Sequence, residues 1–198
     1  MNIILASNSP RRRELLKQAG IEEFQILAPN VDESVEPGHS PAQMVEELSL
    51  RKARAANRAG PDDLIIAADT VVALDGKVLG KPRDEGAAFA MLSALSGREH
   101  HVYTGVTLIR GDQTVTSCEV TAVVFRTLAP EEIRGYIATG EPMDKAGAYG
   151  IQGRGALLVE GIRGDYCNVV GLPLFRLSRM LSEFGVELLR SAEQDAVQ

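Results

Sequence analysis

LIIAADTVVAL, residues Leu64–Leu74, is an almost continuous apolar run with Asp69 and Thr70 at its centre. A run of this kind is typical of a strand that is buried on both faces of an α/β sheet. A carboxylate in such a strand has a large desolvation cost unless a cation or hydrogen bonds compensate for it. Asp69 either accepts structural hydrogen bonds from loop N–H groups or faces a functional cation, and the sequence favours the functional alternative.

The chain turns back immediately after this run. Asp75-Gly76 is a two-residue hairpin signal, and the predicted return strand, 77–79, leads into Gly80-Lys81-Pro82. The hairpin can therefore deliver Lys81 near Asp69, although the sequence does not fix its register.

Beyond the hairpin, the pattern predicts a helix and a pair of long strands. Residues 83–95 have helical apolar spacing, and 99–110 and 114–127 are typical of antiparallel strands joined by a Gly-Asp turn. His100 and His101 are interpreted as strand-edge residues and not as metal ligands, because no third ligand lies at a zinc spacing.

An amphipathic helix is predicted before the central run, over 41–58. Its apolar stripe consists of Val45, Leu48, Ala55 and Ala56. Lys52 lies within this stripe, and its ammonium either extends to bulk water or points into a cleft. The sequence leaves both alternatives open.

Asp32 and Glu33 follow a short strand predicted over 24–27. Adjacent carboxylates at a strand end form either a solvated loop or half of a cation site. From the residues alone the loop is favoured, since exposed acidic side chains are the norm.

The N-terminal stretch IILASNSPRRRELL, residues 3–16, predicts a buried strand, a tight polar loop and a helix start. Pro10 at the first helical position, preceded by a serine able to cap, marks the helix N-terminus. Unpaired N–H groups and the helix dipole favour an anion there, and Arg11, Arg12 and Arg13 add positive charge. The alternative is a capped helix with solvated arginines, but cations at this end of a dipole make sense mainly when an anion is bound.

The C-terminal third contains a glycine-rich segment, KAGAYGIQGRG, at 145–155. It lacks the Walker spacing of a P-loop. Small residues around Tyr149 and Gln152 allow a ligand to approach the backbone, and a mobile loop is an equal alternative. The other predicted elements are a helix, a strand and a second helix, at 130–139, 156–162 and within 168–184.

Composition limits the class of protein. The chain has 198 residues, 44% of them hydrophobic, and a net charge of −6, which fits a globular domain and argues against polymeric nucleic acid as a partner. Cys118 and Cys167 lie far apart, so we predict neither a disulfide nor a zinc site and expect a cytoplasmic protein. No apolar stretch reaches membrane-spanning length, and no signal-peptide pattern is present, so neither a membrane segment nor export is expected. We predict one mixed α/β domain over 1–189 and a frayed tail over 190–198.

These signals share one chemistry. The anion-binding helix start, the isolated cations Lys52 and Lys81, and the acids Glu33 and Asp69 suit a polyphosphate with Mg²⁺, which is usually held by few carboxylates plus phosphate oxygens. The residues by themselves indicate hydrolysis of a phosphate ester or anhydride.

Six stretches, in order along the chain, closely resemble the Maf family of nucleoside triphosphate pyrophosphatases. They are LASNSPRRRELL at 5–16, VDE at 31–33, ADTVV at 68–72, GKP at 80–82, DKAGAYGIQG at 144–153 and VVGLPL at 169–174. The resemblance implies an elongated mixed α/β fold, with a β-sheet, flanking helices and two lobes around a cleft, similar to inosine triphosphate pyrophosphatases. It also implies a cytoplasmic, metal-dependent enzyme that is often a homodimer.

The resemblance also implies roles for individual positions. Asp69 matches the proton acceptor that activates water and, with Glu33, the metal site. The positions that grip the triphosphate match Ser7, Ser9, Arg12, Lys52 and Lys81. The positions that distinguish the dTTP/UTP subgroup match Arg11, Thr70 and Gln152, where the 7-methyl-GTP subgroup has Trp, Gln and Glu. Arg13 is an additional cation without a family role.

The expected reaction is attack of water on the α-phosphorus of a nucleoside triphosphate, with dTTP and UTP preferred, yielding the monophosphate and pyrophosphate. The expected cofactor is a divalent cation, Mg²⁺ first and Mn²⁺ or Co²⁺ as alternatives. One rival is a regulator of cell division or septum formation that binds nucleotides without hydrolysing them. Another is a house-cleaning hydrolase with broad specificity for modified triphosphates.

Overall fold

The computed structural model describes residues 2–56, 60 and 62–189. The strands are β1 (Ile3–Leu5), β2 (Gln25–Ile26), β3 (Leu64–Leu74), β4 (Lys77–Leu79), β5 (Glu99–Arg110), β6 (Gln113–Phe125) and β7 (Val159–Arg163). The α-helices are α1 (Pro10–Gln18), α2 (Pro41–Ala56), α3 (Glu85–Leu95), α4 (Pro130–Ile137), α5 (Tyr166–Val170) and α6 (Leu174–Glu183). Short 3₁₀ helices cover Glu141–Asp144, Ala146–Ala148 and Gly153–Leu158.

The strands form one seven-stranded mixed sheet in the order β2-β1-β3-β5-β6-β7, and β4 pairs with β3 off this path. β1 runs parallel to β2 and β3, whereas the pairs that β3, β5, β6 and β7 make with one another are antiparallel, as is the β3–β4 hairpin. The predicted α/β fold with a mixed sheet and flanking helices is therefore confirmed.

The central strand β3 is buried along its length, with Thr70 its one partly accessible residue. Side chains alternate between the two faces of a strand. Ile65 and Ala67 pack with Ala53 and Ala56 of α2, whereas Ile66 and Ala68 belong to the larger apolar cluster on the other face. By the same alternation Asp69 faces α2, and Thr70 faces away from it.

α2 lies unusually close to the sheet next to Asp69. Gly105 of β5 is directly opposite Asp69, and a Cβ atom built on Gly105 would lie 2.2 Å from the backbone oxygen of Val45 in α2. A glycine here lets the helix backbone contact the strand. This contact fixes the helix that carries Lys52.

Several predicted boundaries differ from the structure. The strand predicted over 156–162 begins only at Val159, because the glycine-rich segment before it forms a 3₁₀ helix in which a Cβ on Gly155 would lie 2.0 Å from the oxygen of Gly150. In α2, Ala53 is fully buried, whereas the predicted core residue Ala55 is only partly buried. The last two residues of the helix predicted over 41–58, and the predicted tail 190–198, lie outside the described residues.

Candidate active site

Two serines shape the loop between β1 and α1. The Ser9 Oγ accepts a hydrogen bond from the Arg12 backbone N at 3.4 Å and so caps α1, and Pro10 is the first helical residue. The Ser7 Oγ accepts from the Ser9 backbone N at 3.2 Å. The predicted capped helix start is therefore present.

The Arg12 guanidinium joins three distant parts of the chain. Its Nε donates to the Gly171 backbone oxygen at 2.8 Å, its Nη1 to the Ser7 Oγ at 3.1 Å, and its Nη2 to the Thr70 Oγ1 at 3.1 Å. Burial lowers the pKa of Arg12, and the neighbouring Asp69 carboxylate partly offsets that effect. Three donors of Arg12 thus bind protein groups, which leaves two of its five N–H groups for a ligand.

Lys52 holds the two predicted acidic residues together. Its Nζ lies 2.5 Å from the Asp69 Oδ1 and 2.8 Å from the Glu33 Oε1. The Lys52 side chain is 15% exposed, so its ammonium points into the cleft and not to bulk water. The Lys52 hydrogen bond lowers the pKa of Glu33.

Asp69 is 8% exposed, and its desolvation is compensated by this ammonium group. The cation beside the Asp69 carboxylate is thus Lys52 of the same chain, and a functional role for Asp69 stays a prediction. Glu33 lies in a loop with its side chain 65% exposed, as the favoured interpretation predicts, and it also contacts the same ammonium.

The predicted site residues lie around a single cleft of about 850 Å³. Those in its lining are Ser9, Arg11, Arg12, Glu33, Lys52, Asp69, Thr70, Lys81 and Gln152. Ser7 lies behind them and contacts the Arg12 guanidinium. The hairpin of β3 and β4 therefore brings Lys81 to the same cleft as Asp69, as its sequence position suggested.

The glycine-rich segment, 145–155, is hydrogen-bonded to the side chain of Glu141. The Glu141 Oε1 accepts from the Tyr136 hydroxyl at 2.8 Å and from the Gly155 backbone N at 3.0 Å, and its Oε2 accepts from the Arg154 backbone N at 3.1 Å. The bonds to Arg154 and Gly155 hold the end of the segment that follows Gln152, so this part of the cleft wall is anchored.

A model of one protein family matches residues 2–184, and its description is "Maf-like protein". The chain belongs to this family. The resemblance predicted from the six sequence stretches is thus confirmed over nearly the whole chain.

Curated relatives of this Maf-like protein carry the name dTTP/UTP pyrophosphatase. The protein from Symbiobacterium thermophilum is 56% identical over 183 residues, which cover 92% of this chain and 94% of that protein. The protein from Moorella thermoacetica is 55% identical over 189 residues, which cover 94% of this chain and 96% of that protein. The protein from Pelotomaculum thermopropionicum is 52% identical over 189 residues, which cover 94% of this chain and 98% of that protein.

Solved structures resemble this Maf-like protein only distantly. A dITP/XTP pyrophosphatase from Mycobacterium abscessus has a TM-score of 0.46 at 17% identity, with 93% of this chain and 98% of that chain covered. A HAM1 protein from Coxiella burnetii has a TM-score of 0.45 at 16% identity, with 63% and 73% covered. These scores are too low to carry a functional inference.

Sequence reasoning missed one cleft cation in this Maf-like protein. The Lys145 Nζ donates to the Glu141 backbone oxygen at 2.7 Å and to the Asp144 Oδ1 at 2.6 Å, and its side chain lines the cleft. The lysine does stand in the resembling stretch DKAGAYGIQG, but no charge pattern marks it as a ligand group.

The interpretation of His100 as a strand-edge residue is wrong. His100 is completely buried, its Nε2 lies 2.8 Å from the Tyr149 hydroxyl, and its ring packs edge-on against Phe125. Burial lowers the pKa of His100 to about 4. At neutral pH the His100 imidazole is therefore uncharged. Its hydrogen bond holds the hydroxyl group of Tyr149, a residue that also lines the cleft.

Two findings concern the described part of the chain alone. Within it, no cluster of three or more His, Cys, Asp and Glu side chains could hold a metal ion by itself. Nor is any helix there long and apolar enough to cross a membrane.

Proposed function

We propose that this Maf-like protein hydrolyses nucleoside triphosphates, with dTTP and UTP preferred, to the monophosphate and pyrophosphate. The observation that carries the proposal is the pair of carboxylates, Asp69 and Glu33, held on one ammonium group inside a cleft lined by further cations. The relatives that are 52–56% identical, named dTTP/UTP pyrophosphatase, support the same reaction.

Asp69 is the proposed proton acceptor for the attacking water. A general base needs an accessible carboxylate near the reacting atom, and Asp69 lines the cleft from a rigid central strand. Fixing the base on β3 limits its motion relative to a bound triphosphate, which favours a productive geometry.

Asp69 and Glu33 are also the proposed ligands of a divalent cation, Mg²⁺ first and Mn²⁺ or Co²⁺ as alternatives. Two carboxylates fit this donor set, because Mg²⁺ is usually held by one or two carboxylates together with substrate phosphates and water. When bound, the cation would neutralise phosphate charge and lower the pKa of its water.

The cationic groups around the cleft are proposed to bind the triphosphate and stabilise charge on the departing pyrophosphate. The N-terminus of α1, with Ser7, Ser9 and Arg12, offers hydrogen-bond donors to phosphate oxygens. Lys52 and Lys81 supply point charges from two other elements of the cleft. Arg11, Thr70 and Gln152, also in the lining, are the proposed determinants of base preference.

We further propose that 1–189 is a single domain, that the protein works in the cytoplasm and that it forms a homodimer. One apolar cluster extends from Leu5 to Phe184, which supports a single domain. Cys118 and Cys167 are free thiols, as in a reducing compartment. The exposed rings of Tyr166 and Phe175 offer surface for association, which analytical ultracentrifugation would test.

The decisive experiment is Asp69→Asn. We expect the variant to fold, because Asn keeps the shape and can still contact Lys52, and to lose about a hundredfold or more in turnover, the scale of an essential general base. Pyrophosphate release from dTTP and UTP, with and without Mg²⁺, is the measurement. Turnover close to that of the wild type would refute the role of Asp69.

A substrate panel separates the proposed reaction from its rivals. We expect dTTP and UTP to be hydrolysed faster than CTP, dITP and 7-methyl-GTP. Equal rates across the panel would support a broad house-cleaning hydrolase instead. Binding without any pyrophosphate release would support the nucleotide-sensing regulator.

A further inference from the structure

A row of hydroxyl groups crosses the sheet behind the cleft. Thr70 of β3 and Thr104 of β5 are direct partners in the antiparallel register, and their Oγ1 atoms lie 2.9 Å apart. The Thr104 Oγ1 also lies 3.1 Å from the backbone oxygen of Asn168. On the other side, the Arg12 Nη2 donates to the Thr70 Oγ1 at 3.1 Å.

The chemistry of these groups fixes the direction of every hydrogen bond in the row. A carbonyl oxygen cannot donate, so the single hydroxyl hydrogen of Thr104 points to Asn168. Thr104 must then accept from Thr70, which uses the single hydroxyl hydrogen of Thr70. The opposite orientation would leave two lone pairs facing each other across 3.1 Å in a fully buried place, because Thr104 is 0% exposed.

This direction determines what Thr70 can offer a ligand. Its hydrogen is used by Thr104, and one of its lone pairs is used by Arg12. A hydroxyl oxygen has two lone pairs, so one remains. Because Thr70 lines the cleft, it presents to a ligand an acceptor and no donor.

We propose that Thr104 is a positioning residue that keeps the Thr70 hydroxyl an acceptor, and that Thr70 thereby selects a base with an N–H group at the ring position it faces. In a pyrimidine nucleotide that group is the N3–H of uracil or thymine, whereas N3 of cytosine bears a lone pair. This inference rests on the proposed function, because it assigns Thr70 a contact with the base of that substrate.

The test compares Thr104→Val with Thr104→Ser. Valine has the shape of threonine but no hydroxyl group, so in Thr104→Val the hydroxyl hydrogen of Thr70 loses its acceptor. That hydrogen can then rotate toward the cleft and be donated to N3 of cytosine. Serine keeps the hydroxyl. The measurement is calorimetric binding, with Mg²⁺, of the non-hydrolysable α,β-methylene analogues of UTP and CTP. We expect the ratio of the two affinities to fall about tenfold in Thr104→Val, the scale of one hydrogen bond, and to be retained in Thr104→Ser.

Thr107→Val is the matched control. Thr107 lies on the same strand, is 0% exposed, and its Oγ1 lies 2.9 Å from the hydroxyls of both Ser49 and Thr116, away from the row of Thr70. Thr107→Val should lose similar stability and keep the wild-type affinity ratio. If Thr104→Val does not fold, Thr70→Val removes the acceptor itself and should lower the ratio by the same factor.

The outcomes distinguish this inference from the proposed reaction. Equal affinity of the wild type for the two analogues, or an unchanged ratio in folded Thr104→Val, would overturn the role of Thr104. An equal fall of the ratio in Thr107→Val would overturn it as well. If the wild type cleaves neither dTTP nor UTP, the proposed reaction fails, and the affinity ratio still decides the inference.

Discussion

Lys52 forms ion pairs with both Asp69 and Glu33 from within an otherwise apolar helix face. The helical periodicity of the sequence places Lys52 on the apolar stripe of α2. It does not indicate which element that stripe packs against. The answer depends on strand alternation in β3, which turns Ile65, Ala67 and Asp69 toward α2. The sequence could therefore predict only two alternatives for the Lys52 ammonium, bulk water or a cleft. The position of β3 decides between them.

Lys52→Met should destabilise the protein by about 3 kcal/mol, because it leaves the buried Asp69 carboxylate without its counter-charge. Adding Asp69→Asn to Lys52→Met should restore most of that loss, since the one carboxylate left without its partner, Glu33, is 65% exposed to solvent. The measurement is the free energy of unfolding in urea at pH 7. Lys81→Met, at an exposed cleft lysine, is the control and should change the value by less than about 0.5 kcal/mol. A double variant as unstable as Lys52→Met would contradict the pairing.

His100 should make the protein less stable in mild acid. Its pKa in the folded state is lowered from 6.5 to about 4, so the unfolded chain takes up a proton more readily. The stabilisation is complete above pH 6.5 and is lost as the pH falls toward 4, by about 3 kcal/mol in all.

The variant His100→Gln should lack this part of the pH dependence, which unfolding curves at intervals between pH 7 and 4.5 would measure. His101→Gln is the matched control, because His101 is the neighbour on the same strand and its side chain is 45% exposed, whereas His100 is completely buried. Identical slopes in His100→Gln and the wild type would show that His100 does not titrate in this way. Sequence could not reveal this role, because the burial of His100 comes from the packing of Phe125 and Tyr149 around it.

At the scale of elements, the position of α2 depends on Gly105, which has no side chain and so allows the helix backbone to contact β5. Gly105→Ala would place a methyl group 2.2 Å from the Val45 backbone oxygen, so α2 must move away from β5. We expect a loss of about 1–3 kcal/mol, as for other overpacked sites, and reduced turnover because Lys52 moves with the helix.

The free energy of unfolding and kcat together test this expectation. Gly135→Ala is the control, since a Cβ there meets nothing within 4 Å and alanine favours the helix α4. A fully stable Gly105→Ala would show that α2 is not held by this contact.

The elements themselves were largely predictable, with one informative exception. Periodicity located the central strand, the hairpin and the amphipathic helices within a few residues. It failed at 156–162, where the apolar pattern suggested a strand that begins only at Val159. Backbone contacts between Gly150 and Gly155 determine the 3₁₀ turn there, and side-chain periodicity carries no signal for contacts of that kind.

At the scale of the whole molecule, the sheet combines local and distant pairings. Antiparallel neighbours such as β5 and β6 follow each other in the chain, and the sequence predicted them. The parallel pair of β1 and β3 joins strands separated by α1, β2 and α2, and no local pattern specifies it. The mixed character of the sheet was thus predictable, and its strand order was not.

The hydrogen bond from Arg12 to Gly171 spans 159 residues. During translation, a ribosome-bound chain that stops short of Gly171 has made β3 and most of the cleft lining but lacks the carbonyl that orients the Arg12 guanidinium. We therefore expect the Arg12 guanidinium to take its final orientation in the cleft only after Gly171 has left the exit tunnel.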